Sequence, residues 1–359
     1  MSSLSTLAFN REDIRPGDRI CVAISGGADS VALLLTLHAA NTAKHDALGV
    51  GLSAVHLHHG IRPGEADLDQ QFVEALCHRL DIPLHLHHAS VPERVAQTRA
   101  AGNPETIEEA ARNVRYDFFA SLIATGEANS VLTAHTLDDQ AETVLMKLLR
   151  GAWTEGLSAI HPVVQAPGPR PGKILRPFLN TRRADIETYL NHLHQPWRED
   201  STNTDTAYTR NRIRHELLPQ LRDYNPSLDQ TLANLAELAR EEEARWQTEL
   251  SRLLPQILLP GKPVRGGGRS VSTAPGQSAV AIELDRLRAL DPALRRRVLR
   301  AAARQLGARL SFDETSRLLA LCGFLTLPTV AARTGASLHL ANQLRAERSH
   351  RELRLFLQK

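Results

Sequence analysis

Alternation of apolar, β-rich runs with longer segments of helical period constrains the first part of this chain most strongly. The run RICVAIS (19–25) predicts a strand and SVALLLTLHAA (30–40) predicts a helix, and this alternation recurs up to residue 151. Repeated strand–helix units are typical of a mostly parallel, doubly wound α/β sheet, in which ligands bind at the carboxyl ends of the strands. We therefore expect an α/β fold with functional residues at that edge of the sheet.

Breaks in the pattern predict four segments along the 359 residues. A polar stretch, RDYNPS, closes the α/β region, and a long helical pattern follows it, ending in a loop rich in Pro and Gly. The predicted segments are an α/β domain at 1–222, a helical linker and loop at 223–280, a small helical domain at 281–330 and a short β-hairpin tail at 331–359.

Composition excludes several classes of protein. The chain has no apolar stretch long enough to span a membrane, which predicts a cytoplasmic protein without a membrane partner. Its three cysteines, Cys21, Cys77 and Cys322, form no CxxC pair, so they predict buried thiols rather than a zinc site, an iron–sulfur site or a disulfide. The sequence leaves open whether the chain forms a homodimer.

A cluster of arginines near the C-terminus predicts a basic helix. Residues 286–309 include LRRRVLRAAARQLGAR, in which Arg295 and Arg296 are candidates for contacts with the phosphates of a nucleic acid. A solvated helix face is an equally good interpretation of the same pattern.

The segment SGGADS (25–30) lies between the first strand and the first helix. Glycines at 26 and 27 allow close approach of a ligand, and the backbone N–H groups of a strand-to-helix turn can cradle phosphate. The chain has neither GxxxxGK[ST] nor GxGxxG here, which excludes the Walker and dinucleotide loops. Asp29 would repel phosphate unless a cation such as Mg²⁺ bridges the two. The hydroxyl of Ser30 could donate to phosphate or cap the helix.

SGGADS resembles the pyrophosphate loop of the ATP pyrophosphatase superfamily. Further stretches, in order, resemble the tRNA(Ile)-lysidine synthases of that superfamily: VHLHHGIRPGEADLD, IEEAARNVRYDFF, AHTLDDQAETVLMKLLRG and YTRNRIRHELLPQL. The resemblance covers about 200 residues and is weaker in the C-terminal third, where it implies a tRNA-binding domain. It implies an adenine nucleotide alpha hydrolase-like fold and a ligase that uses ATP and Mg²⁺.

In the reaction that the resemblance implies, ATP adenylates C2 of the wobble cytidine in the CAU anticodon of tRNA(Ile). L-lysine then replaces AMP to give lysidine. A tRNA thiolase, or another adenylating amidotransferase with the same loop, is the alternative; a thiolase would need suitable cysteines. A nucleotide-binding module without catalysis would keep the glycines but would not need the carboxylates of LDDQ.

The resemblance also implies roles for particular residues. The loop Ser25, Gly26, Gly27, Ala28, Asp29 and Ser30 would bind ATP, together with His56 and Arg62 at the end of the second strand. Arg112 and Arg115 share one helix face and would act on the phosphates, although Arg112 can instead pair with Glu108. Arg210, Arg212 and Arg214, next to a polar loop at 203–209, would bind tRNA.

Asp138 and Asp139 stand where a strand meets a helix, so one of them, most naturally Asp138, is expected to cap that helix. The other is a candidate ligand of Mg²⁺ together with Asp29, or of the lysine ammonium group. Asp139 is also a candidate acceptor for the proton that the amine loses. The sequence does not divide these roles between the two aspartates. Thr106 and Glu109 are predicted to form a capping box.

Overall fold

The computed structural model describes residues 7–60, 63–102, 104–199, 208–263, 269–270 and 279–358. The chain forms two compact units, Met1–Glu242 and Glu243–Lys359. The boundary falls inside a long helix and not at residue 222, because Leu232 and Ala236 of this helix are buried in a cluster with Val144 and Leu145 of the first unit.

A six-stranded sheet forms the centre of the first unit, in the order β3-β2-β1-β4-β6-β5. All neighbouring strands are parallel except β5, which runs antiparallel to β6. The strands are β1 (Arg19–Ala23), β2 (Gly51–His58), β3 (Leu84–His88), β4 (Ser130–Leu132), β5 (Val163–Gln165) and β6 (Lys173–Leu175).

Helices cover both faces of this sheet, because alternate residues of β1 face opposite ways. Ile20 and Val22 lie in one buried cluster with Leu34, whereas Cys21 lies in another with Phe119. The helices are α1 (Ala28–Asn41), α2 (Pro63–Leu80), α3 (Val91–Ala100), α4 (Ile107–Thr125), α5 (Leu137–Leu149), α6 (Thr154–Leu157), α7 (Arg183–His192), α8 (Thr209–Arg212), α9 (Leu218–Tyr224) and α10 (Leu228–Ile257), with a π-helical turn at Ile213–Leu217. The predicted doubly wound α/β fold is confirmed.

Local capping fixes where two of these helices begin. Thr106 and Glu109 form the predicted capping box at the start of α4. A second capping box joins Thr136 to Asp139 at the start of α5, directly after the short strand β4. The second box therefore sets the position of the LDDQ carboxylates at the carboxyl edge of the sheet.

The second unit combines helices with an antiparallel sheet in the order β11-β12-β13-β10-β7. The predicted tail does contain a hairpin, but its strand β13 also pairs with β10, since a lone hairpin could not bury Leu353 and Leu355. The strands are β7 (Leu258–Pro260), β10 (Ala279–Glu283), β11 (Ser337–His339), β12 (Leu344–Arg348) and β13 (Glu352–Leu357), and the helices are α11 (Leu284–Arg288), α12 (Pro292–Gln305) and α13 (Phe312–Leu321). A separate two-stranded ribbon pairs β8 (Lys262–Pro263) with β9 (Arg269–Ser270).

Within the described ranges, no helix combines the length and the apolar character needed to cross a bilayer.

Candidate active site at the carboxyl edge of the sheet

The SGGADS loop turns from β1 into α1, with Gly27 at the N-cap position. Ser30 is therefore not the N-cap: its hydroxyl lies 2.9 Å from the Gly27 carbonyl oxygen as a donor and accepts from the Ser25 backbone N–H at 3.1 Å. The exposed Ser25 hydroxyl lies 3.2 Å from Ser30 Oγ, and it is the donor in this contact because the Ser30 proton goes to Gly27. Ser25 can donate to a ligand once its hydroxyl turns away from Ser30. The positive end of the α1 dipole adds to the attraction for an anion.

Gly26 adopts a φ of +94°, which side chains of L-residues rarely tolerate. A Cβ at this position would lie 3.3 Å from Cγ of Arg198. The backbone N–H of Arg198 donates to the Gly26 carbonyl oxygen at 2.9 Å, and its guanidinium pairs with Asp69 at 2.9 Å. The segment before residue 200 thus packs directly on the loop and helps to fix its shape.

His56 lies on β2 and supports the start of the loop. Its Nδ1 lies 2.8 Å from the Ile24 carbonyl oxygen, so this nitrogen carries the proton and donates it. Burial lowers the pKa of His56, which keeps the ring neutral at pH 7. His56 was predicted to bind the nucleotide; the structure gives it a contact with the backbone that precedes the loop.

Asp29 projects from the first turn of α1 toward the start of α7. Its Oδ2 accepts from Nε of Arg183 at 3.2 Å and from Nη2 at 3.0 Å. Its Oδ1 is buried and accepts no hydrogen bond from the described residues. Burial raises the pKa of Asp29 to about 6 even though Arg183 opposes that shift. One oxygen of this carboxylate is thus held and the other is left available to a ligand.

Asp139, not Asp138, caps α5. Its Oδ2 accepts from the Thr136 backbone N–H at 2.9 Å, whereas the sequence predicted that the residue before it, Asp138, would cap the helix. The capping box requires the acid at the third helical position, and α5 begins at Leu137, so Asp139 fills that position. Its other oxygen, Oδ1, faces Nη2 atoms of Arg183 at 3.4 Å, Arg214 at 3.5 Å and Arg210 at 4.0 Å. Although burial opposes ionisation, these guanidinium groups lower the pKa of Asp139.

Asp138, in the first turn of α5, contacts Arg183 at the start of α7 and Arg222 in α9. Its Oδ2 accepts from the backbone N–H of Arg183 at 2.8 Å, which satisfies a free donor at the start of α7. Its Oδ1 lies 3.5 Å from Nη2 of Arg222, which also holds the buried Asp229 with two bonds of 3.0 and 2.9 Å. These contacts make Asp138 a support for the position of Arg183.

Glu142 is the most buried acid of the site, with 1% of its side chain exposed. Its carboxylate accepts from Nε of Arg210 at 2.8 Å and from Nε and Nη2 of Arg214 at 2.6 and 3.0 Å. Arg212 points elsewhere: it is 64% exposed and pairs with Glu216 at 3.6 Å. Arg210 and Arg214 share one helical face, four residues apart, so the structure brings these two to the site and leaves Arg212 at the surface.

Arg183 and Glu142 belong to the site but were not among the residues that the sequence predicted. Arg183 carried one signal, since a cation in the first turn of a helix opposes the helix dipole and therefore needs carboxylate partners. Glu142 lies one turn after Asp139 on α5, and this spacing places both acids on one face.

The two predicted arginines of α4 differ in their surroundings. Arg112 lies over the ring of Tyr116, 4.7 Å from its centroid, and its Nη2 is 3.4 Å from the Tyr116 hydroxyl. Arg115 is close enough to two histidines at the edge of the sheet, His59 and His135, to lower the pKa of each; burial is the larger cause for both. These effects associate Arg115 with the carboxyl ends of β2 and β4.

Two predictions fall outside the described residues. Arg62 lies outside the described residues, whereas Gly60 is described. Gly60 has a φ of +65°, and a Cβ there would lie only 3.1 Å from the Ala89 carbonyl oxygen. Residues 203–207 of the predicted tRNA-binding loop also lie outside the described residues.

In the second unit, Arg295 and Arg296 have internal contacts. Arg295 donates to the Leu287 and Arg288 carbonyl oxygens at 3.2 and 2.7 Å and lies 4.4 Å from the centroid of Phe324. Arg296 lies 4.8 Å from the centroid of Phe312, which is 75% exposed. Both arginines therefore stabilise packing around α12, and their contact with RNA stays a prediction.

Of the two predicted metal ligands, Asp29 has a carboxylate oxygen that accepts no hydrogen bond from the described residues, and this oxygen fits Mg²⁺. The available Oδ1 of Asp29 is a carboxylate oxygen, the type of ligand that Mg²⁺ prefers, and Mg²⁺ commonly combines one or two carboxylates with substrate phosphates. Both oxygens of Asp139 face N–H donors. The described residues contain no group of three or more His, Cys, Asp or Glu side chains arranged to hold a metal by themselves.

The cysteines are free and buried, and burial raises the pKa of Cys21 and Cys322 to about 12 and that of Cys77 to about 11. They are therefore protonated and unreactive at neutral pH.

Comparison with known proteins matches residues 3–221 to the PP-loop domain family. The chain is 38% identical to the tRNA(Ile)-lysidine synthase of Solibacter usitatus over 89% of this chain and 64% of that protein. It is 37% identical to the tRNA(Ile)-lysidine synthase of Geobacter sulfurreducens over 96% of this chain and 67% of that protein. It is 35% identical to that of Nitratidesulfovibrio vulgaris over 84% of this chain and 82% of that protein. The chain thus spans about two thirds of the length of the first two relatives.

Among solved structures, the U34-tRNA thiolase NcsA of Methanococcus maripaludis is similar with a TM-score of 0.52 and 16% identity, over 66% of this chain and 76% of that one. This likeness supports the fold.

Proposed function

The chain belongs to the tRNA(Ile)-lysidine synthase family of PP-loop proteins, and we propose that it joins L-lysine to C2 of the wobble cytidine in a tRNA(Ile) with a CAU anticodon, at the expense of ATP. The observation that carries the proposal is the arrangement of Asp29, Asp139 and Glu142 beside a phosphate-binding loop, each acid held by arginines. In this proposal, Asp29 serves the nucleotide, and Asp139 with the arginines serves the lysine and the proton that its amine loses.

The first step forms a bond between the O2 oxygen of cytidine and the α-phosphorus of ATP, and pyrophosphate leaves. The Ser25 hydroxyl and the backbone N–H groups of the loop bind and orient the phosphates for this attack. Arg115 stabilises negative charge as it develops on the phosphates. Asp29 would hold Mg²⁺, which would supply positive charge to balance that of the departing pyrophosphate.

In the second step the ε-amine of lysine forms the C2–N bond, while the C2–O2 bond breaks and AMP leaves with O2. Lysine enters as an ammonium ion, which is not a nucleophile until it loses a proton. Asp139 is ionised because its arginine neighbours lower its pKa, so in this proposal its carboxylate attracts the ammonium group and takes up the proton. The lowered pKa makes Asp139 a weak base for that step. Arg210 and Arg214 are held by Glu142 and carry the positive charge that would attract the lysine carboxylate.

The tRNA makes a second set of contacts in this proposal. Arg212 is exposed, and it is available to phosphates of the anticodon loop. Helix α12 of the second unit carries Arg295, Arg296 and Arg300, which would bind phosphates without reading sequence.

The test is incubation of the protein with ATP, radiolabelled lysine and a CAU-anticodon tRNA(Ile) transcript, with a GAU-anticodon transcript as the matched control. Label is expected in the CAU transcript alone, with one AMP formed for each lysine incorporated. Absence of label in RNA, or transfer of label to the GAU transcript, contradicts the proposal.

A further inference from the structure

Arg183 lies between two acids that come from different parts of the first unit. One atom, Nη2, is 3.0 Å from Oδ2 of Asp29 and 3.4 Å from Oδ1 of Asp139, and Nε adds a bond of 3.2 Å to the same oxygen of Asp29. The acids belong to α1 and α5, and Arg183 opens α7. A single guanidinium therefore links the phosphate loop to the acid that caps α5.

Arg183 is held in place by contacts of both its side chain and its backbone. Its side chain is 25% exposed, and its backbone N–H donates to Asp138 at 2.8 Å. A cation in the first turn of a helix is unfavourable with respect to the helix dipole, so the acids must outweigh that cost. Burial also opposes its charge, yet the carboxylates of Asp29 and Asp139 raise the pKa of Arg183, which keeps the guanidinium ionised.

We propose that Arg183 is a built-in cation for the Asp29–Asp139 pair and makes binding of a divalent ion at these acids dependent on the nucleotide. The inference builds on the proposed use of ATP and Mg²⁺. With Arg183 in place, the three carboxylates of Asp29, Asp139 and Glu142 face three guanidinium groups, those of Arg183, Arg210 and Arg214, so no excess negative charge attracts a free divalent ion.

A divalent ion that arrives with a nucleotide brings phosphate ligands of its own. It then needs from the protein only one oxygen, and Oδ1 of Asp29 is buried without a hydrogen-bond donor among the described residues. Arg183 engages Oδ2 alone, so it need not leave Asp29 when the ion binds there. Arg183 thus separates two roles: Asp29 contacts the ion on the nucleotide, and Asp139 stays free of metal and available to the amine.

The experiment measures binding of Mn²⁺, as a paramagnetic substitute for Mg²⁺, by electron paramagnetic resonance with and without a non-hydrolysable ATP analogue. We expect the wild-type protein to bind Mn²⁺ at least tenfold more tightly with the analogue than without it. Arg183→Gln should bind Mn²⁺ at least tenfold more tightly than wild type in the absence of nucleotide, because Asp29 and Asp139 then lose the one cation that contacts both, and the site gains a net negative charge. Arg183→Lys, which keeps the charge, should bind as weakly as wild type.

Two controls separate this effect from a general loss of charge or structure. Arg182→Gln removes the adjacent arginine, which is 45% exposed and lies 3.8 Å from Asp229, and should leave Mn²⁺ binding unchanged. Asp139→Asn combined with Arg183→Gln should abolish the gain, since the second carboxylate is then missing.

The proposal is overturned if Arg183→Gln gains no affinity for Mn²⁺, or if wild type binds Mn²⁺ equally well with and without the analogue. The second comparison needs no variant, so it holds even if Arg183→Gln fails to fold. None of these measurements uses lysine or tRNA. Failure to make lysidine would therefore refute the proposed function while leaving the role of Arg183 intact.

Discussion

Replacing Glu142 by Gln tests whether the buried acid holds the arginines of the site in place. Glu142 is 1% exposed and makes three hydrogen bonds of 2.6 to 3.0 Å with Arg210 and Arg214. Glutamine has nearly the same shape but no charge, so both guanidinium groups would depend on Asp139, whose Oδ1 is 4.0 and 3.5 Å from them.

The size of the effect follows from burial. Removing one partner from a buried ion pair costs about 3–5 kcal/mol. Arg210 and Arg214 are 36% and 20% exposed and keep some contact with water, which places the expected loss in the free energy of unfolding at the lower end, about 3 kcal/mol. For a unit of this size, each kcal/mol lowers the melting temperature by about 2–4 °C, which predicts a decrease of about 6–12 °C.

Differential scanning calorimetry of the full chain measures this decrease, and Glu216→Gln is the matched control. That substitution makes the same chemical change at an exposed pair, Arg212–Glu216, and should cost no more than about 0.5 kcal/mol. Equal shifts in the two variants, or a shift of less than about 1 °C in Glu142→Gln, would refute the view that this carboxylate organises the site.

Three further outcomes are expected. Gly26→Ala should lower stability by about 1–2 kcal/mol and weaken binding of an ATP analogue, because alanine is strained at a φ of +94°; Gly27→Ala, at a φ of −70°, should keep the melting temperature of wild type. Arg212→Ala should leave the melting temperature unchanged and reduce the salt dependence of tRNA affinity, measured by filter binding, by about one unit in slope; an unchanged slope means that Arg212 does not contact phosphate. Burial lowers the pKa of His59 to about 4, below its value in the unfolded chain, so its contribution to stability is present above about pH 6.5 and is lost as the pH falls to about 4. His59→Gln should therefore lose less stability than wild type over that interval in urea titrations; parallel curves would contradict the assignment.

Local sequence determined the features that depend on neighbouring residues. The alternation of apolar runs predicted the doubly wound sheet, the glycines of SGGADS predicted the tight turn before α1, and the Thr106–Glu109 spacing predicted its capping box. Each of these follows from backbone geometry over one or two turns, which a sequence displays directly.

Tertiary structure decided which charges meet. Arg183 is 154 residues from Asp29, and Glu142 is 68 residues from Arg210, so no local period could pair them. The structure also selected Asp139 over Asp138 as the cap, Arg214 over Arg212 as a site residue and Glu242 over residue 222 as the end of the first unit. The physical reason is common to all of these: a buried charge is stable only beside an opposite one, and the partner that satisfies it is fixed by how separate helices converge on the edge of the sheet.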